Sequence, residues 1–160
     1  MDRPLRLAAV AFTDADARAL VDQVQQEYVG LYGEQDNTPL DAGMFVPPQG
    51  AFFVAYDGGV PVAMGGWRRR SDVRPWGRSA AAEIKRMYVA PAARRRGIAR
   101  AVLAHLERTA RDAGADVMVL ETGAAQPEAI ALYAAQGYLP IEKFGHYCWS
   151  PQQRCFGKPL

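Results

Sequence analysis

Residues 83–122 read as a strand, a helix and a second strand in direct succession, and that order leaves the chain few ways to fold. EIKRMYV, over 83–89, has the alternating, partly β-branched character of a strand, and Pro91 ends it. Ala99, Val102, Leu103, Leu106, Ala110 and Ala113 then recur at helical spacing until Gly114, a residue suited to a left-handed cap. VMVLET, over 117–122, is too short and too apolar for anything but a buried strand. Two strands joined by one helix in this way lie parallel and cross over in the right-handed sense. Everything else in the chain must be arranged around that unit.

Upstream, residues 5–11 read as a short strand. Thr13 and Asp16 form a capping box ahead of an apolar stripe at Ala17, Leu20, Val21, Val24 and Tyr28, which predicts a helix. Pro39, Pro47 and Pro48 make 33–50 a loop or a broken helical turn. AFFVAY and VPVAMGGW flank Asp57, Gly58 and Gly59, a hairpin signal, and a loop with Arg70, Pro75 and Gly77 leads into the strand at 83. Pro127 suits the first position of a further helix, with Ile130, Tyr133 and Ala134 on one face and Gly137 closing it. Strands at 139–143 and 154–157 finish the chain. The class is α/β, with a mixed sheet.

Length and charge bound the partners. The 160 residues suit one domain, 1–160, able to bury about 68–70% of its unfolded surface, and no internal repeat or low-complexity linker divides them. Nineteen basic residues against seventeen acidic ones leave a net charge of +2, which gives no general case for a nucleic-acid partner. No apolar run approaches membrane-spanning length, and the one at 7–12 has no cleavage pattern after it, so a cytoplasmic protein without a membrane partner is expected. Cys148 and Cys155 lack CxxC spacing and a nearby histidine pair, which predicts free thiols and no metal site.

Against that near-neutral background RRRGIAR, residues 94–100, stands out. A basic run is most often a solvated surface. This one lies between a strand end and a helix start, where unsatisfied N–H groups and the positive end of the helix dipole make a phosphate site, and Gly97 lets the backbone approach a ligand. It is too short to track a duplex and carries no interleaved aromatics for base stacking.

Arg94-x-x-Gly97-x-Ala99 after a strand ending MYVAP, with AIALYAAQGY about thirty residues later, resembles the acetyl-CoA-binding core of the GCN5-related N-acetyltransferases (GNAT). The resemblance covers 83–138 closely and implies a mostly antiparallel, twisted mixed sheet with a central parallel β-α-β unit and helices on both faces. It implies acetyl-CoA as co-substrate, its pyrophosphate held by Arg94 and the backbone of Arg95, Arg96, Gly97, Ile98 and Ala99 with Arg100 close by. The backbone of Met87 and Val89 would pair with the pantetheine arm in a slot where two parallel strands splay apart, and an N–H of Met87 or Tyr88 would polarise the thioester carbonyl. Ala99 replaces the second glycine of the pattern, and Gln126 stands where the family often has an asparagine touching CoA.

Acetylating an amine requires its neutral form, and removing a proton from an alkylammonium of pKa near 10.4 at pH 7 costs about 4–5 kcal/mol. A base is needed. Glu83 matches the position of the general base in several family members, with an exposed strand-end carboxylate as the alternative, and Glu121 is the reserve. Tyr133 matches the family's proton donor to the departing thiolate, with a core aromatic as the alternative. The acceptor is expected to be a small primary amine, with a protein lysine or N-terminus, or a silent CoA sensor, as rivals. Glu34, Asp36 and Asp41 after the first helix, and Tyr147 and Trp149 between the last strands, would enclose a compact amine with an apolar or second cationic portion. An anionic acceptor would instead turn to Arg70, Arg74 and Arg78. Monomer and homodimer are both open.

Overall fold

The computed structural model describes residues 4–160. Its elements run β1 (Arg6–Ala9), α1 (Ala15–Tyr32), β2 (Gly50–Asp57), β3 (Val60–Arg69), β4 (Ala81–Val89), α2 (Ile98–Asp112), β5 (Val117–Gly123), α3 (Pro127–Ala135), β6 (Leu139–Pro140) and β7 (Gln153–Pro159). They form one seven-stranded sheet in the order β1-β2-β3-β4-β5-β7-β6. β4 and β5 are parallel, joined through α2 as the sequence requires, and every other neighbouring pair is antiparallel.

The apolar periodicities explain the layers. On one face Val102, Leu103, Leu106 and Ala110 of α2 and Tyr133 of α3 meet Trp67, Ile84, Met118 and Leu120 of the sheet. On the other, Ala17, Leu20 and Val24 of α1 meet Phe52, Val54, Met64 and Tyr88, with Phe45 from a 3-10 turn over Ala42–Phe45. Helices therefore cover both faces, and the central strands are buried from each side.

Several boundaries differ from the expected ones, each for a local reason. Asp14, not Thr13, caps α1, accepting from the amides of Asp16 and Ala17 at 3.0 and 3.2 Å. Asp16 is then free to accept from the Tyr56 hydroxyl at 2.6 Å. The strand expected at 139–143 stops at Pro140, since proline cannot donate to the ladder, and Ile141 makes one further bond to the Cys155 carbonyl at 3.0 Å. β7 is longer than expected because seven residues pair along β5. Cys148 is exposed and Cys155 buried, both as thiols.

Candidate active site

β4 and β5 pair only at Ala81–Val117, Ala82–Met118 and Glu83–Val119, although both strands continue, to Val89 and Gly123. Beyond Glu83 they splay. β4 also carries an extra residue against β3, since Met64 faces Tyr88 while Gly66 faces Lys85. That bulge is centred on Arg86, whose φ is +56°. Two consecutive charged residues, Lys85 and Arg86, in a strand covered on both faces were the visible signal for it.

The splay opens into a cavity of about 820 Å³. Met87, Tyr88 and Val89 of β4, Arg94, Arg95, Gly97, Ile98, Ala99 and Arg100 at the start of α2, and Gln126 and Tyr133 all line it. Arg96 does not; its guanidinium turns to Asp57, 2.8 Å away. Arg94 donates to the Val89 carbonyl at 3.0 Å and pairs with Glu27 of α1 at 2.7 Å, bracing the mouth. Arg95 and Arg100 enter no salt bridge among the described residues.

The residues fit the phosphate end of acetyl-CoA. Gly97 is the N-cap of α2 with φ +75° and no capping side chain, so the first amides of the helix are left for a ligand. A Cβ on Gly97, which lines the cavity, would meet nothing within 4 Å. Gly97→Val, which adds both bulk and left-handed strain, is expected to weaken CoA binding at least tenfold by calorimetry, and Arg95→Ala no more than about threefold. Equal affinities in Gly97→Val and wild type would remove the phosphate role from this turn.

A second cavity of about 320 Å³ adjoins the first, lined by Glu34, Asp36, Glu121 and Tyr147, the four residues that the sequence offered for an acceptor, together with Tyr32, Trp149 and Gln153. Tyr28, Leu31, Glu121, Thr122 and Gln126 line both cavities, so the two meet there. Among the described residues no lysine, arginine or histidine lines the smaller one, and Arg70, Arg74 and Arg78 line neither.

The carboxylates divide into three situations. Glu83 is 1% exposed and lines neither cavity; Arg68 and Arg70 reach its Oε1 at 2.9 and 2.8 Å, and Lys85 lies 3.5 Å from Oε2. It is not the exposed strand-end carboxylate that the sequence allowed. Glu121 stands at the junction of the cavities, its Oε1 3.3 Å from Lys85 Nζ and its Oε2 accepting from Gln153 Nε2. Asp36 is ion-paired with Arg86 and accepts from the Thr38 amide and hydroxyl at 2.9 and 2.7 Å. Burial pushes its carboxyl up, but Arg86, Thr38 and Lys85 outweigh that and hold it below the usual aspartate value.

Tyr133 is 6% exposed, with its ring edge-on to Tyr138 at 5.6 Å. Burial, with a smaller contribution from Tyr28, raises its phenol well above the ordinary value. It is therefore protonated at neutral pH. Burial likewise pushes Tyr28 up to about 12, Asp36 and Tyr32 adding to the shift and Arg86 opposing it.

Tyr28, Tyr32, Lys85, Arg86 and Gln153 were not singled out as site residues from sequence. Tyr28 read as part of the apolar stripe of the first helix, but the end of α1, with Tyr28 and Tyr32, overhangs the splay. Tyr32 accepts from Gln126 Nε2 at 3.1 Å and rests so closely on β5 that a Cβ at Gly123 would come 1.8 Å from its hydroxyl. Glycine there leaves room for the ring at the wall of the smaller cavity. The loop beyond α1 is fixed by Gln25, which holds both the amide and the carbonyl of Asp36, at 2.8 and 3.1 Å, and by Tyr147, whose hydroxyl accepts from the Asn37 amide at 2.7 Å.

Comparison with known proteins agrees with this architecture. The family model for GNAT acetyltransferases matches residues 17–138. Over 141 residues, 88% of each chain, the sequence is 33% identical to an IAA acetyltransferase of Azospirillum brasilense. It is 32% identical over 127 residues, 79% of this chain, to member 5 of the mouse N-acetyltransferase family 8, and spans 55% of that relative's length. A Klebsiella pneumoniae protein assigned as an acyl-CoA N-acyltransferase superposes with a TM-score of 0.79 at 28% identity, covering 98% of this chain and 97% of that one. Among the described residues no helix is long and apolar enough to cross a membrane. The splayed parallel pair, the glycine-capped helix below it and the match across both motifs have one reading: the chain belongs to the GNAT family of acetyl-CoA-dependent acetyltransferases.

Proposed function

We propose that the protein acetylates a small primary amine by direct transfer, with acetyl-CoA in the larger cavity and the amine in the smaller. The observation that carries this reading is the meeting of the two cavities at Glu121, Thr122 and Tyr28, beside the splay of β4 and β5. Acetyl-CoA supplies an acyl group already activated on a thiolate leaving group. The amides at the start of α2, with Arg95 and Arg100, hold its phosphates. The free edges of β4 and β5 bind its extended arm. Glu121 removes the surplus proton from the amine, because it is the carboxylate that borders both cavities. Glu83 anchors it at one remove: the Lys85 ammonium lies between the two carboxylates, within 3.5 Å of each. Tyr133 lines the larger cavity with a phenol that remains protonated, and gives its proton to the leaving sulfur.

The acceptor site favours a cation. Glu34 and Glu121 supply negative charge, and Tyr32, Tyr147 and Trp149 supply aromatic faces that attract an ammonium or cover an apolar body. A half-open volume of about 320 Å³ is of a size that takes a compact molecule. The test is a screen of small amines, lysine peptides and amino acids for thiol release from acetyl-CoA. Compact, non-anionic amines are expected to turn over fastest; a screen won by peptides or by anionic amino acids overturns the reading. Asp36 is committed to Arg86, so Glu34→Gln is the cleaner probe of acceptor charge. It is expected to raise the KM for the best amine about three- to tenfold and leave that for acetyl-CoA alone, by steady-state kinetics. An unchanged amine KM would return Glu34 to a solvated loop position.

A further inference from the structure

Gln153 lies at the wall of the smaller cavity with the donors of its amide committed and its oxygen left over. It is 4% exposed and opens β7, opposite Gly123 of β5. Its Nε2 donates to Oε2 of Glu121 and, at 2.7 Å, to the carbonyl of Phe144, in the connection that carries Tyr147 and Trp149. Its Oε1 is buried without a hydrogen-bond partner among the described residues. Turning the amide over would set that oxygen against two acceptors, so the orientation is fixed although it leaves a buried oxygen unmet. The other oxygen of Glu121, Oε1, faces the Lys85 ammonium at 3.3 Å, and Lys85 lines neither cavity. Glu121 is thus gripped at both oxygens, by a buried cation at one and a neutral amide at the other.

We propose that Gln153 is a positioning residue for the transfer: its amide fixes the plane of the Glu121 carboxylate, so that the base presents a lone pair to the amine of the acceptor. The proposal rests on the reading of Glu121 as the group that takes the amine proton. The last torsion of a glutamate is broad, and nothing in the side chain itself sets the direction of its oxygens. Lys85 cannot set it alone, because an ammonium is a point charge whose three donors rotate; it fixes where the negative charge lies and not which way the oxygens face. A planar amide on the second oxygen removes that freedom, and as a neutral donor it does not cancel the charge that draws the proton. Hydrogen-bond reach to the proton is the first requirement of a base, so a carboxylate that swings loses rate even where its basicity is intact. The alternative is that Gln153 serves only to tie the connection between β6 and β7 to the sheet, through the Phe144 carbonyl.

A double-substitution cycle with Glu121 separates the two roles. Gln153→Met keeps the length of the side chain and removes the amide. With the best amine, kcat/KM at neutral pH is expected to fall about tenfold, less than for Glu121→Gln because Lys85 still holds one oxygen, while the KM for acetyl-CoA stays within about twofold of wild type. In the Glu121→Gln background the same substitution should lower kcat/KM by less than about twofold, since the base through which Gln153 acts is gone. The tenfold deficit should also shrink as pH rises, because an amine that arrives neutral has no proton to give up. A role confined to the connection gives equal losses in both backgrounds and a deficit that does not change with pH. Either result overturns the proposal, as does wild-type kinetics in Gln153→Met. Should that variant not fold, Gln153→Asn, which keeps the amide but draws it back by one methylene, is read through the same cycle with the same expectations. Glu121→Gln that turns over at the wild-type rate overturns the reading of Glu121 itself, and the proposal with it; a slow Glu121→Gln beside additive losses overturns the positioning role alone.

Discussion

Tyr133→Phe is expected to lower kcat about 10²-fold while leaving the affinity for acetyl-CoA nearly unchanged. Phenylalanine keeps the ring that lies edge-on to Tyr138 at 5.6 Å and removes only the hydroxyl. Folding should therefore be little affected, and any kinetic loss falls on the step that uses the proton. A thiolate must leave, and a donor beside the sulfur lowers that barrier. Burial, seconded by Tyr28, raises the Tyr133 phenol, which keeps the acid form populated while making it a weaker acid, so the donation depends on its place beside the sulfur. Single-turnover measurements with the best acceptor, in which chemistry and not product release is observed, are the appropriate check. An unchanged single-turnover rate would make Tyr133 a core aromatic and nothing more.

The parts of the structure that were legible in the sequence are those fixed by local rules. The β4–α2–β5 crossover followed from periodicity, the β2–β3 hairpin from the glycine pair with φ of +58° and +85°, and the glycine-capped start of α2 from Gly97 between a strand and a helix. What was hidden depends on partners distant in sequence. Glu83 reads as reactive or exposed, and its burial follows from register: Arg68 of β3 stands opposite it, and Arg70 lies one residue past the last pair of that ladder. The roles of Tyr28 and Tyr32 depend on where α1 ends relative to β5, and Gly123 makes room for Tyr32 from the opposite strand. Arg86 lay between these cases. The break in alternation at Lys85 and Arg86 announces a bulge, but only the burial of Nε shows that the bulge carries an unsatisfied donor.

Amide substitutions at Glu83 and Glu121 are expected to fail in opposite ways, and the contrast decides which carboxylate handles the amine proton. Glu83→Gln removes the negative charge that Arg68, Arg70 and Lys85 share, leaving three cations in a site that is nearly closed to water. Breaking a buried network of this kind should cost about 3 kcal/mol, a fall of roughly 6–12 °C in Tm. The folded fraction should still turn over, with the loss that comes from a Lys85 no longer drawn toward Glu83. Glu121→Gln keeps the shape of the junction and an oxygen for Lys85, so Tm should fall by no more than a few degrees. It removes the group that accepts the proton where the cavities meet, and kcat/KM for the amine at neutral pH should drop about 10²- to 10³-fold. That deficit should narrow as pH rises, since the amine then arrives already neutral and has no proton to give up. Thermal melts and pH–rate profiles of both variants provide the comparison. A Glu83→Gln protein that melts with wild type but has lost its activity, beside an active Glu121→Gln, would move the proton acceptor to the buried start of the splay, with Lys85 and water carrying the proton between them.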